Sequence, residues 1–345
     1  LVLPPHSTNT PNFMHILQNL VQMTGQRDHL RLELSVLSTF MQLPAVTNVR
    51  ALELVELDNG HWVRPRTWLQ AGQLVSSTQD VVQDNQRRPL HEMPHLHACI
   101  TQQAQQMQHS SGADQHVIWL PVWMHEKARV CLEVTQSDPF TPHSLDAITG
   151  IFNVYQNYQS LLDYSERDAL TGLLNRKTFD EHLLRFATAA QAEHSDEMPW
   201  LAVIDIDHFK LVNDRFGHLF GDEVLILVAN LLRSAFGSQH RIFRFGGEEF
   251  VVLMPVSHKA AAQASLEAFR AMVASHSFPQ VGSVTVSVGF AGAKLCSPVE
   301  ILGQADQALY YAKENGRNRV CHFEQLQDQG LLHSAQVSHE DVELF

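Results

Sequence analysis

In the stretch RFGGEEF, Arg244 to Phe250, two adjacent glycines lie between two apolar segments at 241–245 and 250–254. Apolar arms joined through adjacent glycines predict a β-hairpin, because a two-residue primed turn requires positive φ at both central residues. Glu248 and Glu249 follow at the tip, and neighbouring strand residues point to opposite faces. Bare backbone beside paired carboxylates suits a phosphate-bearing ligand bridged by a divalent metal. A solvated acidic hairpin fits this pattern equally well.

The bulk composition limits the class of protein. A length of 345 residues predicts two domains, and 44% hydrophobic with 18% charged residues is globular. The net charge of −13 argues against a nucleic acid as the main partner. The cysteines are too scattered for a zinc site or a disulfide scaffold. No run reaches the roughly 20 apolar residues of a membrane span, and the N-terminus lacks a signal-peptide layout. We therefore expect a cytoplasmic protein.

Residues 1–143 carry alternating helical and strand patterns. Helical spacing at 13–40 is followed by strand periodicity from Val49, a helical stretch at 91–108 and two strands at 117–123 and 128–134. This order predicts an α+β fold. Its layout resembles a GAF domain, which implies a sensor for an unknown ligand or partner protein. A PAS-like or unrelated α+β module stays open.

Two groups in this half invite a ligand interpretation. Three histidines lie at 91, 95 and 97, but no cysteine or carboxylate completes a metal shell, so polar surface is the favoured interpretation. Four tryptophans, at 62, 68, 119 and 123, could line a pocket, although aromatic residues in alternating strands more often form the core. The sequence of this half does not identify what it senses.

Residues 144–165 form a second strongly helical stretch. Apolar residues recur at alternating steps of three and four, which is the pattern of a parallel coiled-coil seam: Ile148, Ile151, Tyr155, Tyr158 and Leu162. Because only about three heptads are present, packing onto its own domain is an equal alternative. We interpret the stretch as a signalling helix that connects two domains and dimerises.

Four ordered motifs follow in residues 166–324. DALTGLLNR at 168–176, DIDHFK at 205–210, GGEEF at 246–250 and ADQALYYAKENGRN at 305–318 succeed one another at consistent spacing. Together they resemble the GGDEF domains, the diguanylate cyclases. The resemblance implies an α+β domain with a central, mainly antiparallel sheet flanked by helices, similar to nucleotidyl cyclases and polymerase palms. Residues 325–345 form an acidic tail that we expect to be mobile.

The residues themselves agree with this resemblance. The apolar run 200–204 ends in Asp205, as a buried central strand does, and ligand sites favour strand ends. Asp205 and Glu248 can converge on a hard cation, since oxygen ligands completed by substrate phosphates suit Mg²⁺. Asn213 and Asp222 offer donor and acceptor edges of the kind that read a guanine.

The resemblance assigns further roles. Asp205, the carbonyl of Ile206 and Glu248 would bind Mg²⁺ or Mn²⁺, and Asn213 and Asp222 would recognise guanine. The remaining contacts would be to the phosphates and the attacking hydroxyl. Phe209 and Lys210 would approach the phosphates through backbone amides beside Gly246 and Gly247, Lys313 and Arg317 would bind the triphosphate from one helix face, and Glu249 or Glu248 would assist deprotonation of the 3′-hydroxyl.

The implied activity is condensation of two GTP into cyclic di-GMP with release of two pyrophosphates, by a homodimer joined through the N-terminal domain and connector. The window 237–240, GSQH, lacks the R-x-x-D product-inhibition site of many relatives, so we predict no feedback inhibition there. Asp222 at the base-recognition position predicts that the substrate is GTP rather than ATP. Two alternatives stay open: a catalytically inactive GGDEF domain that binds GTP or cyclic di-GMP and signals, and a mixed cyclic GMP–AMP synthase.

Overall fold

The chain folds into two units, Leu1–Ser165 and Glu166–Phe345. The structure, a computed structural model, describes residues 13–57, 60–77, 84–112, 114–124, 127–189, 197–237, 239–293 and 297–332. Within these ranges no helix is both long and apolar enough to cross a membrane. Each unit has its own sheet and is described separately.

The N-terminal unit begins with two short helices rather than one continuous helical stretch. Helix α1 (Phe13–Thr24) ends before Gly25, and α2 (His29–Phe40) begins after Asp28, whose carboxylate accepts a hydrogen bond from the Arg31 amide at 3.0 Å. Such a cap satisfies one of the amides that a helix start leaves unpaired. The remaining elements are β1 (Val46–Leu57), β2 (Gly60–Gln70), β3 (Gln73–Ser76), β4 (Arg88–Pro89), α3 (Pro94–Thr101), β5 (Met107–Ser110), β6 (His116–Met124), β7 (Lys127–Gln136) and α4 (Pro142–Glu166).

The N-terminal sheet is antiparallel in the order β3-β2-β1-β7-β6-β5, with β4 paired to β2. One face packs against α2 and α4, and the other carries a smaller cluster with Leu90 and Leu96. The helix predicted at 91–108 is shorter, because Pro94 starts α3 and β5 begins at Met107. The α+β class is as predicted for this half, and its GAF-like identity stays a prediction.

Helix α4 spans the segment predicted as a connector. The stripe predicted to form a coiled-coil seam instead lies in the core of the N-terminal unit, where Ile148, Ile151 and Tyr155 are buried. The coiled-coil assignment is therefore wrong for this stripe, and the alternative, packing onto its own domain, is observed. Apolar residues at this spacing can pack against a second helix in a coiled coil or against a sheet, and here the sheet of the same unit covers them.

The C-terminal unit has a six-stranded sheet in the order β13-β12-β9-β11-β10-β8. Its central pairs are antiparallel and its outer two parallel, which confirms the predicted mainly antiparallel sheet. The elements are β8 (Leu174–Asn175), α5 (Arg176–Ala189), β9 (Glu197–Ile206), α6 (Phe209–Phe216), α7 (His218–Phe236), β10 (Arg241–Arg244), β11 (Glu249–His258), α8 (Lys259–Ser275), β12 (Val286–Gly292), α9 (Pro298–Glu314), β13 (Val320–His322) and α10 (Phe323–Asp328).

Strand β9 is buried on both faces and divides the core of this unit. Ala202 and Ile204 face α7 and α8, whereas Leu201 and Val203 face α5 and α9. A strand that is covered on both faces has a continuous apolar sequence, as predicted for residues 200–204. By the same alternation, Asp205 falls on the α9 side of the sheet.

Helix α9 lies unusually close to the sheet at Gly289 of β12. A Cβ at this glycine would overlap the carbonyl oxygen of Ala305 and the amide nitrogen of Leu309. Only glycine therefore permits this contact between helix and strand backbones. The close packing brings the C-terminal end of α9 to the end of β9.

Helix α10 extends ordered structure past residue 324, where the tail was predicted to begin. Leu326 is buried in the cluster beneath α9, which explains why this segment packs instead of remaining in solvent. The predicted tail from residue 333 onward lies outside the described residues.

Candidate active site

The GGEEF stretch joins β10 to β11 as predicted, with Arg244 opposite Phe250. The turn type is different. Neither Gly246 nor Gly247 has positive φ, and the amides of Phe245 and Gly246 both donate to the Glu249 carbonyl at 2.8 and 3.3 Å. The loop is longer than a two-residue primed turn, so backbone freedom is not what requires these glycines. At Gly246 a Cβ would lie 2.9 Å from Oε2 of Glu249, so a larger residue would displace that carboxylate.

Asp205 and Glu249 occupy directly opposed positions on β9 and β11. Opposed residues of an antiparallel pair share a face, and like charges there repel. Lys313 offsets this repulsion, since its Nζ lies 2.8 Å from Oδ2 of Asp205. Glu248 joins the group through its backbone, whose carbonyl accepts from the Ile206 amide at 3.4 Å. The structure thus brings together five residues that the sequence assigned to one site: Asp205, Ile206, Glu248, Glu249 and Lys313.

The carboxylates of this group have perturbed acidities. Burial raises the pKa of Asp205 to about 6, with Glu248 and Glu249 adding to the shift and Lys313 opposing it. Burial also raises the pKa of Glu249, again opposed by Lys313. Clustered carboxylates that resist ionisation are typical of sites built for a cation or a proton transfer.

Asp306 on α9 belongs to the same electrostatic group and was missed as a site residue. Desolvation raises its pKa, the Lys313 ammonium opposes that shift, and Asp306 in turn raises the pKa of Glu249. Asp306 lies inside the 305–318 motif, but no local pattern indicated that its charge acts on Glu249.

Asn213 and Asp222 lie where α6 meets α7. A Cβ on Gly221 would overlap the side-chain amide oxygen of Asn213 and lie 3.2 Å from Phe209, so glycine permits this close approach. Asp222 is the next residue on α7 and is exposed. The two polar side chains proposed to read a base are therefore carried by one tight helix junction.

The start of α6 offers unpaired backbone donors. His208 precedes the helix in a left-handed conformation, with φ 58°, and its side chain makes no capping hydrogen bond. The amides of Leu211 and Val212 donate to the His208 carbonyl, while Phe209 and Lys210 occupy the first turn, whose amides lack intrahelical acceptors. Such a helix start favours an anion, as the predicted role of Phe209 and Lys210 requires.

Arg317 does not share a helix face with Lys313, so that prediction was wrong. Helix α9 ends at Glu314, and Gly316, Arg317 and Asn318 all have positive φ. The chain reverses instead, and the Arg317 amide donates to the Ala312 carbonyl at 2.9 Å. Glycine after a helix terminus favours such a left-handed exit, which a spacing argument alone could not detect.

Asp207 holds this reversed segment in place and was not predicted as a site residue. Its carboxylate, 5% exposed, accepts hydrogen bonds from Thr285 at 2.7 Å, Ser287 at 2.6 Å and the Asn318 amide at 3.0 Å. Asn318 adjoins Arg317, so Asp207 connects the DIDHFK motif to the segment that carries Arg317. The signal available in the sequence was a second aspartate at the end of a buried strand.

Arg244 links two of the motifs. Its guanidinium donates from Nη1 to Asp168 at 3.0 and 3.2 Å, and from Nη2 to the Gly247 carbonyl at 2.8 Å. These bonds and those from Thr171 hold the pKa of Asp168 below its ordinary value against partial burial. The loop that carries Gly247 is thereby fixed to the 168–176 motif.

The donor set at the end of β9 fits a hard divalent cation. The predicted ligands are the carboxylates of Asp205 and Glu248 and the carbonyl of Ile206. The Lys313 ammonium already lies beside Asp205, where a cation would bind. Within the described residues no three His, Cys, Asp or Glu side chains converge as a complete metal site. Mg²⁺ characteristically binds through one or two carboxylates together with substrate phosphates, so this set suits that ion.

The predicted absence of a product-inhibition site falls on residues 237–240, of which Ser238 lies outside the described residues. At the position of the missing acidic partner, His240 lies against Phe236 with ring centroids 5.3 Å apart. Burial lowers the pKa of His240, which favours the neutral imidazole. The absence stays a prediction.

Comparison with known proteins identifies relatives of this unit. Residues 165–319 match the family model described as "Diguanylate cyclase, GGDEF domain". Diguanylate cyclase DgcP of Pseudomonas aeruginosa is 43% identical over 157 residues, covering 44% of this chain and 23% of that protein. A diguanylate cyclase of Vibrio cholerae is 36% identical over 182 residues, covering 51% and 56% respectively. The chain therefore spans about a quarter to just over half of these two relatives.

A solved structure is also similar. The coiled coil and GGDEF domain of DgcB from Caulobacter crescentus, in complex with c-di-GMP, is 33% identical to this chain. The match covers 52% of this chain and 97% of that chain, with a TM-score of 0.48.

Proposed function

We propose that residues 165–319, which match the family model described as "Diguanylate cyclase, GGDEF domain", form a GGDEF domain and that this chain is a diguanylate cyclase. It condenses two GTP molecules into cyclic di-GMP and releases two pyrophosphates. The observation that carries the proposal is the convergence of Asp205, Glu249 and Lys313 at the end of β9, with the helix junction of Asn213 and Asp222 in the same unit.

The roles of the residues follow from their positions. Asp205, the Ile206 carbonyl and Glu248 would hold Mg²⁺ or Mn²⁺, which when bound neutralises the triphosphate and favours ionisation of the attacking hydroxyl. The first-turn amides of Phe209 and Lys210 bind phosphate oxygens, and Gly246 and Gly247 leave room for the nucleotide. Lys313 and Arg317 complete the phosphate contacts.

Base recognition and proton transfer are assigned to other side chains. Asp222 accepts hydrogen bonds from guanine N1–H and its exocyclic amine, while Asn213 matches the neighbouring edge, which favours GTP over ATP. Glu249, whose pKa burial raises, assists removal of the 3′-hydroxyl proton, with Glu248 as the other candidate.

The reaction requires two copies of the domain. One set of these residues binds one GTP, and each 3′-hydroxyl attacks the other nucleotide's α-phosphate, so two domains must face each other across a two-fold axis. Exposed apolar side chains on α1 and α4 support a homodimer formed through the N-terminal unit: Met14, Val21, Leu161 and Tyr164. We infer that the N-terminal unit regulates activity by setting this alignment.

Product identification tests the proposal. The full chain is incubated with GTP, with ATP and with both in the presence of Mg²⁺, and the products are identified by mass spectrometry. Cyclic di-GMP from GTP, with no product from ATP, is expected. Binding without turnover would indicate the inactive signalling module, and a mixed product would indicate the cyclic GMP–AMP synthase.

A matched pair of variants assigns the chemistry to this site. Glu249→Gln should abolish turnover, whereas Asp328→Asn, on an exposed residue of α10, should not change it. Leu161→Glu combined with Tyr164→Glu should convert the dimer to a monomer in light scattering and lower turnover with it. Full activity in that monomer would contradict the dimeric mechanism.

A further inference from the structure

A polar cavity in the N-terminal unit is not part of the cyclase site. It has a volume of about 390 Å³, within the range of small-molecule sites. Its polar wall includes Arg50, Arg64 and Arg88, and its apolar wall includes Leu52 and Met93. Three guanidinium-bearing residues around one opening favour an anionic ligand, because guanidinium groups match carboxylate and phosphate oxygens.

Arg50 is held rigidly by a buried acceptor. Its Nε and Nη2 donate to the two oxygens of Glu133 at 2.6 and 2.9 Å, and the indole of Trp119 donates to the same carboxylate at 2.8 Å. Glu133 is 5% exposed, so the acceptor is largely removed from water, whereas the Arg50 side chain is 34% exposed. The arrangement positions Arg50 while leaving Nη1 outside these contacts. A positioned donor of this kind is typical of a binding site.

Arg64 stabilises the wall of the cavity. It donates to Glu53 at 2.8 Å and to Asp84 at 3.1 Å, and Asp84 also accepts from the Gln86 amide at 2.8 Å. Arg64 and Asp84 are both buried. Burying charges costs several kcal/mol per ion unless they are well paired, so this network holds the segment 84–86 firmly beside the opening.

Arg88 differs from the other two arginines. It is exposed at the cavity, on the short strand β4, and within the described residues no carboxylate pairs with it. Arg50 and Arg64 are already committed to carboxylates of the same chain. The cation available to an incoming ligand is therefore Arg88, with Nη1 of Arg50 as a second donor.

We propose that this cavity is a binding site for a small ligand carrying one carboxylate or phosphate group. The oxyanion contacts Arg88 and Arg50, and an apolar body packs against Leu52, Val63 and Met93. The apolar side chains exclude water from one side of the oxyanion, which strengthens its interaction with the guanidinium groups. The site is separate from the GTP site, and its test does not depend on cyclase turnover.

The test measures ligand binding to the full chain by calorimetry. The probes are phenylacetate, its phosphate counterpart phenyl phosphate, and the neutral analogue phenylacetamide. Saturable binding of at least one charged probe is expected, with phenylacetamide bound at least about tenfold more weakly. Preference between the two charged probes identifies the carboxylate or the phosphate as the recognised group.

Variants locate the site. Arg88→Gln should weaken binding of the charged probe by about tenfold or more, and Met93→Trp should block it by filling the cavity. Lys127→Gln, which removes an exposed cation of the same unit paired with Glu56, is the control and should leave binding unchanged. Failure of both charged probes to bind saturably, or binding that Arg88→Gln leaves unchanged, would overturn the proposal.

Discussion

The ammonium of Lys313 at the end of α9 lies 2.8 Å from the carboxylate of Asp205 at the end of β9. The contact places an internal cation where the proposed metal ligands converge. It also offsets the repulsion between Asp205 and Glu249, which lie directly opposite each other on the adjacent strands β9 and β11. If metal and nucleotide bind here as proposed, Lys313 should move from Asp205 towards the phosphates.

Lys313→Met should change metal and nucleotide binding in opposite directions. Without nucleotide, removal of the competing ammonium should increase affinity for Mn²⁺, measured by electron paramagnetic resonance. With nucleotide, loss of a charged phosphate contact should raise the KM for GTP by about tenfold or more. Lys259→Met, on an exposed lysine of α8, is the control. Weaker Mn²⁺ binding by the Lys313 variant in the absence of nucleotide would contradict the competition.

Asp205→Asn should stabilise the metal-free protein at neutral pH. The folded-state pKa of Asp205 is about 6, above the ordinary value of 3.8, so its ionisation opposes folding. Its contribution to stability is fully present below the unfolded pKa and is lost as pH rises through about 6. The variant should therefore gain about 1–3 kcal/mol over the natural chain at pH 8 and little at pH 4.

Urea denaturation at several pH values measures this difference. Saturating Mg²⁺ and nucleotide should reduce or reverse the advantage of the variant, because they bind the folded state of the natural chain. A stability difference that does not change with pH would show that Asp205 does not titrate as described.

Asp207→Ala should weaken both the fold and the phosphate site. The change leaves Thr285, Ser287 and the Asn318 amide without their acceptor, which should cost about 2–4 kcal/mol of unfolding free energy. Release of Asn318 should also loosen Arg317 and raise the KM for GTP. Asp328→Asn, on an exposed residue of α10, is the comparison. An unchanged KM in folded Asp207→Ala protein would limit Asp207 to a structural role.

The two hairpin glycines should respond differently to alanine. Gly246→Ala should displace the Glu249 carboxylate, which would lie 2.9 Å from the new Cβ, and lower kcat about tenfold. Gly247→Ala meets no atom within 4 Å, so the free energy of unfolding should change by less than about 0.5 kcal/mol. Its effect should appear as a raised KM, where the Cβ meets bound nucleotide. Equal kinetic effects would contradict these separate roles.

Cyclic di-GMP should not inhibit the proposed cyclase activity through residues 237–240. The window GSQH has neither the arginine nor the aspartate of the R-x-x-D site. Initial rates at sub-saturating GTP, measured with and without added product, should differ only as competition at the active site requires. Potent non-competitive inhibition would contradict the prediction.

Local patterns in the sequence predicted the elements that carry the site. A strand buried on one face alternates apolar and polar residues, and a strand buried on both faces is apolar throughout. These patterns made the β10–β11 hairpin and the strand that carries Asp205 predictable. The order of the four motifs predicted a GGDEF domain, which the family match of residues 165–319 supports, whereas the roles of the site residues stay a prediction. Helical spacing likewise predicted α4, although it could not choose the surface on which α4 packs.

Only the tertiary structure decided which of these residues meet. Lys313 reaches Asp205 because strand alternation places Asp205 on the α9 side and Gly289 lets α9 approach the sheet. Asp207 holds Asn318 because the chain reverses after Gly316, so Arg317 leaves the helix. Periodicity and turn chemistry act over a few residues, whereas these contacts depend on strand order and on the distance between packed backbones. The sequence by itself therefore determined the motifs and their elements, and the packing of α9 on the sheet determined the site.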